Sequence, residues 1–81
     1  MSLISIGYGN LVSSQKLVAG ASPDAAPIKT LVQQAKEDGK AIDATCGKRT
    51  KSVLFFDSGH IVISALMPET IAQKLEEAER N

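Results

Sequence analysis

The chain has 81 residues, no net charge at neutral pH and 43% hydrophobic residues, a size that fits one domain, taken as 1–81. Cys46 is the single cysteine and His60 the single histidine, which excludes a disulfide framework and a Cys/His zinc site. No stretch reaches the roughly 18 apolar residues of a membrane span, and Met1–Gly7 lacks the basic start and apolar run of a secretion signal, so a soluble cytoplasmic protein is expected.

Leu3-Ile4-Ser5-Ile6 reads as a strand, followed by a turn at Gly7-Tyr8-Gly9-Asn10. Gly7 and Gly9 do not extend to a dinucleotide fingerprint, because Val12 stands where its third glycine belongs and the continuation looks extended. Leu11–Ala19 reads as one further extended segment carrying Lys16, broken at Gly20-Ala21-Ser22-Pro23.

A helix is predicted over Asp24–Asp38, with Asp24 as its cap and Pro27 in the first turn, where no backbone donor is needed. Ile28, Leu31, Val32 and Ala35 follow the spacing of one buried face, and Gly39 is placed to end the helix. The outward face carries Lys29, Gln33 and Lys36, flanked by acids and Pro27, and does not have the character of a recognition helix.

Three closely spaced strands are predicted next: Ala41–Thr45, Lys51–Phe56 and His60–Ala65. Asp57-Ser58-Gly59 has the composition of a hairpin turn. A second helix opens at Pro68, with Ile71, Ala72, Leu75 and Ala78 as its apolar stripe. The order of elements predicts an α+β fold with a small, mostly antiparallel sheet and two helices. A domain this small and without covalent or metal staples is expected to self-associate.

Asp57, Ser58 and His60 are the residue types of a hydrolase triad. Packed into one tight turn, they rarely align as nucleophile, base and orienter, so no catalytic residue is assigned. No metal ligand set, cofactor site or small-molecule substrate is indicated. Cys46 lies near cations but has no resolving partner, and a small residue before a turn explains it better than redox chemistry.

The charge distribution is more informative than its total. Residues 1–56 hold seven cations and four acids, while residues 57–81 hold two cations and five acids. Gly47-Lys48-Arg49-Thr50-Lys51 places three cations within four positions, directly before the apolar run Ser52–Phe56. The expected geometry is a β-hairpin with a basic tip, Arg49 and Lys51 sharing a side. No aromatic residue is nearby to stack on bases, which favours contact with duplex phosphates.

Several strings resemble the RemA family of bacterial regulators of extracellular-matrix genes. They are Ile6-Gly7-Tyr8-Gly9-Asn10, Ser22-Pro23-Asp24-Ala25-Ala26-Pro27-Ile28-Lys29, Ile42-Asp43-Ala44-Thr45, Gly47-Lys48-Arg49-Thr50-Lys51 and Pro68-Glu69-Thr70. The likeness runs from about Leu3 to Leu75 without large gaps. It implies a DNA-binding transcriptional activator of matrix and biofilm genes. It also implies a fold related to LytTR domains and a closed homo-oligomeric ring, octameric in the known case, with duplex DNA wrapped outside. The family's DNA-binding or activity positions carry over to Lys16, Lys48 and Arg49, and Pro27 is implied to matter for function. Lys51 joins the phosphate-binding set from its charge and position. The family often has arginine where Lys16, Lys48 and Lys51 stand; lysine keeps the charge but not the two-pronged phosphate grip. Cys46 replaces a larger residue. An RNA-binding module and a protein-interaction ring without nucleic acid remain the alternative expectations.

Overall fold

The computed structural model describes residues 3–79; the extreme ends of the expected 1–81 domain lie outside the described residues. Six strands and two helices follow in the order β1 (Leu3–Ser5), β2 (Leu11–Ser13), β3 (Leu17–Ala21), α1 (Ala26–Glu37), β4 (Ala41–Asp43), β5 (Ser52–Phe56), β6 (Ile61–Ser64) and α2 (Pro68–Glu79). β1 and β2 form an antiparallel hairpin, and the other four strands form a sheet ordered β3-β5-β6-β4. Two of the three pairings in that sheet are antiparallel, which gives the expected α+β architecture.

Strand alternation sorts the core into two halves. Val53, Ile61 and Ile63 point to one face, where Ile28, Val32 and Ala35 of α1 cover them. Leu54 and Val62 point to the other face and pack with Ile4 and Ile6 of the hairpin arm and Ile71 of α2. The sheet is therefore sandwiched between α1 on one side and the β1–β2 hairpin with α2 on the other. Leu31, expected on the buried face of α1, is 48% exposed.

Three expectations are corrected. The extended run Leu11–Ala19 is two strands, broken by a turn in which the Lys16 N–H donates to the Ser13 carbonyl at 3.3 Å. The polar stretch Ser13-Ser14-Gln15 favours the turn, and the halves pair with different partners, β1 and β5. Helix α1 begins after Ala25, which offers no side-chain cap, rather than after Asp24. Ser22 Oγ accepts the Asp24 N–H at 3.4 Å and holds that residue in a turn outside the helix.

The third correction bears on function. β4 and β5 are not a hairpin, and β4, β5 and β6 are not a simple meander: β6 lies between the other two, and β4 runs parallel to it. The Asp57-Ser58-Gly59 turn joins β5 to β6 as expected, and β3 takes the other side of β5. Both edges of β5 are thereby occupied, so β4 pairs with β6 instead. The basic segment is the connection from β4 to β5, crossing the end of β6.

At its C-terminus α1 ends as its sequence implies. Gly39 adopts φ +72°, the Lys40 N–H donates to the Ala35 carbonyl at 2.8 Å, and the Gly39 N–H donates to Lys36 at 3.3 Å. This closing motif satisfies carbonyls that the last turn leaves open and turns the chain into β4.

Candidate nucleic-acid interface

The connection Ala44–Lys51 is pinned at both ends to β6. The Ala44 N–H donates to the Ile63 carbonyl at 2.9 Å, and the Lys51 N–H donates to the Ser64 carbonyl at 2.9 Å. Asp43 Oδ1 accepts both the Thr45 hydroxyl, at 2.6 Å, and the Thr45 N–H, at 2.9 Å. Those bonds, hydroxyl first, hold the Asp43 carboxyl below its usual range; burial opposes them, and the charge of Lys36 adds a lesser lowering. Thr45 is buried beneath the loop.

Cys46 and Gly47 then take φ of +54° and +79°, two consecutive left-handed residues that reverse the chain. The Lys48 N–H closes the turn on the Thr45 carbonyl at 3.0 Å. Lys48, Arg49 and Lys51 follow, all exposed. The local sequence thus builds a braced loop rather than a loose one, with its cations outside.

Arg49, Thr50 and Lys51 line a groove of about 320 Å³ that also meets Asp24, Pro68 and Glu69, near the starts of both helices. Its charge is mixed. A second groove, about 290 Å³, runs beside α1 and is lined by Lys29, Gln33, Lys36 and Thr50 among others. Gln33 and both lysines were visible in the sequence as exposed helix residues, but nothing there indicated that they share a groove with the loop.

The structure brings Lys48, Arg49 and Lys51 together and leaves Lys16 apart. Lys16 lies beside the β5–β6 turn, its ammonium 3.7 Å from Asp57 Oδ2. That turn and the basic loop sit at opposite ends of β5. At about 3.4 Å per strand residue, the backbones of Lys51 and Asp57 are roughly 20 Å apart, so one phosphate cannot touch both groups. Lys40 also approaches this far end: its Nζ lies 3.6 Å from where a Cβ on Gly59 would stand. Pro27 sits exposed in the first turn of α1, as expected.

The residues resembling a triad do not assemble as one. Ser58 Oγ and His60 Nδ1 are 2.8 Å apart on the exposed turn, but Asp57 is turned to Lys16. Among the described residues no cluster of three or more His, Cys, Asp or Glu side chains could hold a metal ion. No described helix is long and apolar enough to cross a membrane.

The model of the RemA-like family, described as extracellular matrix regulatory protein A-like, matches residues 3–75. A protein of Acetivibrio thermocellus called "Putative regulatory protein" is 52% identical over 79 residues, covering 98% of this chain and 85% of that protein. Similarly named proteins of Geobacillus kaustophilus and Synechococcus elongatus are 49% and 52% identical, covering 93% and 90% of this chain and 86% and 84% of their own lengths. With the family model spanning nearly all of the sequence, the chain belongs to the RemA-like family.

Proposed function

We propose that this chain is a non-enzymatic, DNA-binding transcriptional regulator, acting in the cytoplasm as an activator of extracellular-matrix and biofilm genes and working as a ring-shaped homo-oligomer. The observation that carries the reading is the braced loop, which holds Lys48, Arg49 and Lys51 exposed on a backbone fixed at both ends to β6. A braced backbone suits the regular phosphates of a duplex, because the loop itself loses little freedom on binding. Lys16, at the far end of β5, serves a different phosphate or a different stretch of the duplex. Family membership and the regulatory names of the relatives agree with this assignment.

The margins of the sheet, unpaired among the described residues, support assembly. β3 and β4 are its two edges, and each borders an apolar groove. On the β3 side Val18 is 69% exposed beside Ala72 and Leu75; on the β4 side Ile42 is 50% exposed beside Val12 and Phe56. Joining one edge to the opposite edge of the next copy is a head-to-tail contact, which closes into a ring when the rotation allows. A ring then sums weak phosphate sites into useful avidity, and long fragments are bent around it.

Salt-dependent binding to promoter duplexes tests the reading. The three loop cations of one subunit contribute about −2.7 to the slope of log K against log salt, and the loops of two engaged subunits about −5.4. Replacing Lys48 and Arg49 with alanine flattens the slope while light scattering still reports the parent oligomer. A clean monomer, or a double variant that binds as the parent does, overturns the proposal. Preference for duplex RNA in direct competition assigns the same loop to RNA instead.

A further inference from the structure

We infer that the phosphate-binding surface continues from the basic loop along one flank of α1, with Lys29 and Lys36 as additional backbone-binding residues and Gln33 between them. This extension rests on the duplex-binding reading and adds residues to it.

Three features support the extension. Positions 29, 33 and 36 follow an i, i+4, i+7 spacing, which aligns them along one flank of the helix. All three line the groove beside α1, and no acidic residue lines it with them. That groove meets the one holding Arg49 and Lys51 at Pro23 and Thr50, which line both, so the cations form one path around the root of the loop.

Glu37, the acid within α1, does not line this groove. Asp38 accepts from Gln34 Nε2, with 3.2 Å to Oδ1. Asp43 lies within electrostatic reach of Lys36 but does not line the groove. The neighbouring groove, by contrast, mixes Asp24 and Glu69 with Arg49 and Lys51. The α1 flank is therefore the more uniformly cationic part of the surface.

The dimensions suit a duplex strand. Lys36 lies seven positions beyond Lys29 along the helix, a rise of about 10 Å. Phosphates of one DNA strand recur about every 3.4 Å along the axis, so the row spans about three of them. The arrangement also gives Pro27 a mechanical link to binding, because it lies two residues before Lys29 in the turn that aims the row.

The test compares the parent with Lys29→Gln/Lys36→Gln, Lys48→Gln/Arg49→Gln and Gln33→Lys. Fluorescence anisotropy with a duplex several helical turns long is read across a salt series, beside melting curves and light scattering. The helix double variant is expected to lower the magnitude of the slope by about 1.8 per engaged subunit, with oligomer size unchanged. Gln33→Lys is expected to raise it by about 0.9. If the loop variant loses slope while both helix variants keep the parental value, the extension is overturned and the loop assignment stands. If the parent shows no salt-dependent binding to duplexes, both fall together.

Discussion

Lys16 and Asp57 hold one another twice. The Asp57 N–H donates to the Lys16 carbonyl at 2.9 Å, and the Lys16 ammonium lies 3.7 Å from Asp57 Oδ2. The backbone bond ties the turn before β3 to the turn between β5 and β6. The ion pair is another matter, since its side chains are 65% and 52% exposed. Such pairs contribute about 0–1 kcal/mol. Its stronger consequence is electrostatic: Lys16, proposed to bind phosphate at this end, has a carboxylate beside it.

Asp57→Asn is therefore expected to strengthen duplex binding several-fold at low salt, as Lys16 regains its full charge toward phosphate. The melting temperature should barely move, because the backbone bond remains. Lys16→Gln should lower the magnitude of the salt slope by about 0.9 per engaged subunit. Anisotropy across a salt series measures both. Parental binding by the two variants would remove Lys16 from the interface.

Ser52 and Ser64 face each other across β5 and β6, both fully buried, with opposite hydrogen-bonding fates. The Ser64 hydroxyl donates to the Ile6 carbonyl at 2.9 Å and accepts the Leu66 N–H at 3.1 Å, joining the hairpin arm to the approach to α2. The Ser52 hydroxyl has no partner among the described residues. Ser64→Ala should cost about 1–3 kcal/mol by stranding both backbone groups. Ser52→Ala should be neutral or stabilising by up to about 1 kcal/mol. Denaturant melts of the two variants give the comparison, and equal losses would contradict it.

Much of this fold was legible because local signals and tertiary packing agree. Gly39 ended α1, Asp57-Ser58-Gly59 made a hairpin, and the stripe centred on Ile71 buried against the sheet. The course of β4 was not legible. Ala41–Asp43 has the same local character whether it pairs with β5 or β6, and the choice depends on which edges β3 and β5 have already filled. For the same reason the sequence grouped Lys48, Arg49 and Lys51 correctly, since they are neighbours along the chain. It could not reveal that Lys16 belongs to the opposite end, or that Lys29 and Lys36 share a groove with Thr50.

Cys46 and Gly47 make a paired test of how the basic loop is aimed. Cys46 bears a side chain at φ +54°, a conformation that costs roughly 1–2 kcal/mol for most residues. Cys46→Gly should relieve part of that strain and raise stability by about 1 kcal/mol. A Cβ on Gly47, at φ +79°, would meet nothing within 4 Å. The cost of Gly47→Ala, about 1–2 kcal/mol, is therefore conformational and not steric crowding. Gly47→Ala should also weaken DNA binding beyond its effect on stability, since the turn it distorts presents Lys48. A glycine-to-alanine variant with parental melting and binding would show that the loop does not depend on this turn.

Pro27 stands in the first turn of α1, and its expected effect is on the start of that helix. Ala25 precedes the helix in an extended conformation, φ −72° and ψ 135°, and supplies no side-chain cap. Pro27 has no N–H to offer, so the first turn relies on the fixed φ of its ring. Pro27→Ser is expected to lower stability by about 0.4–1 kcal/mol through added freedom in the unfolded chain, and to misplace Lys29. Ala25→Ser should do the opposite: its hydroxyl is positioned to accept the Ile28 N–H and stabilise the helix by about 1 kcal/mol. Combining the two should return melting, oligomer size and DNA binding close to the parent. If Pro27→Ser instead keeps the parental melt and oligomer yet loses DNA binding, and Ala25→Ser does not restore it, then the proline ring touches the duplex directly.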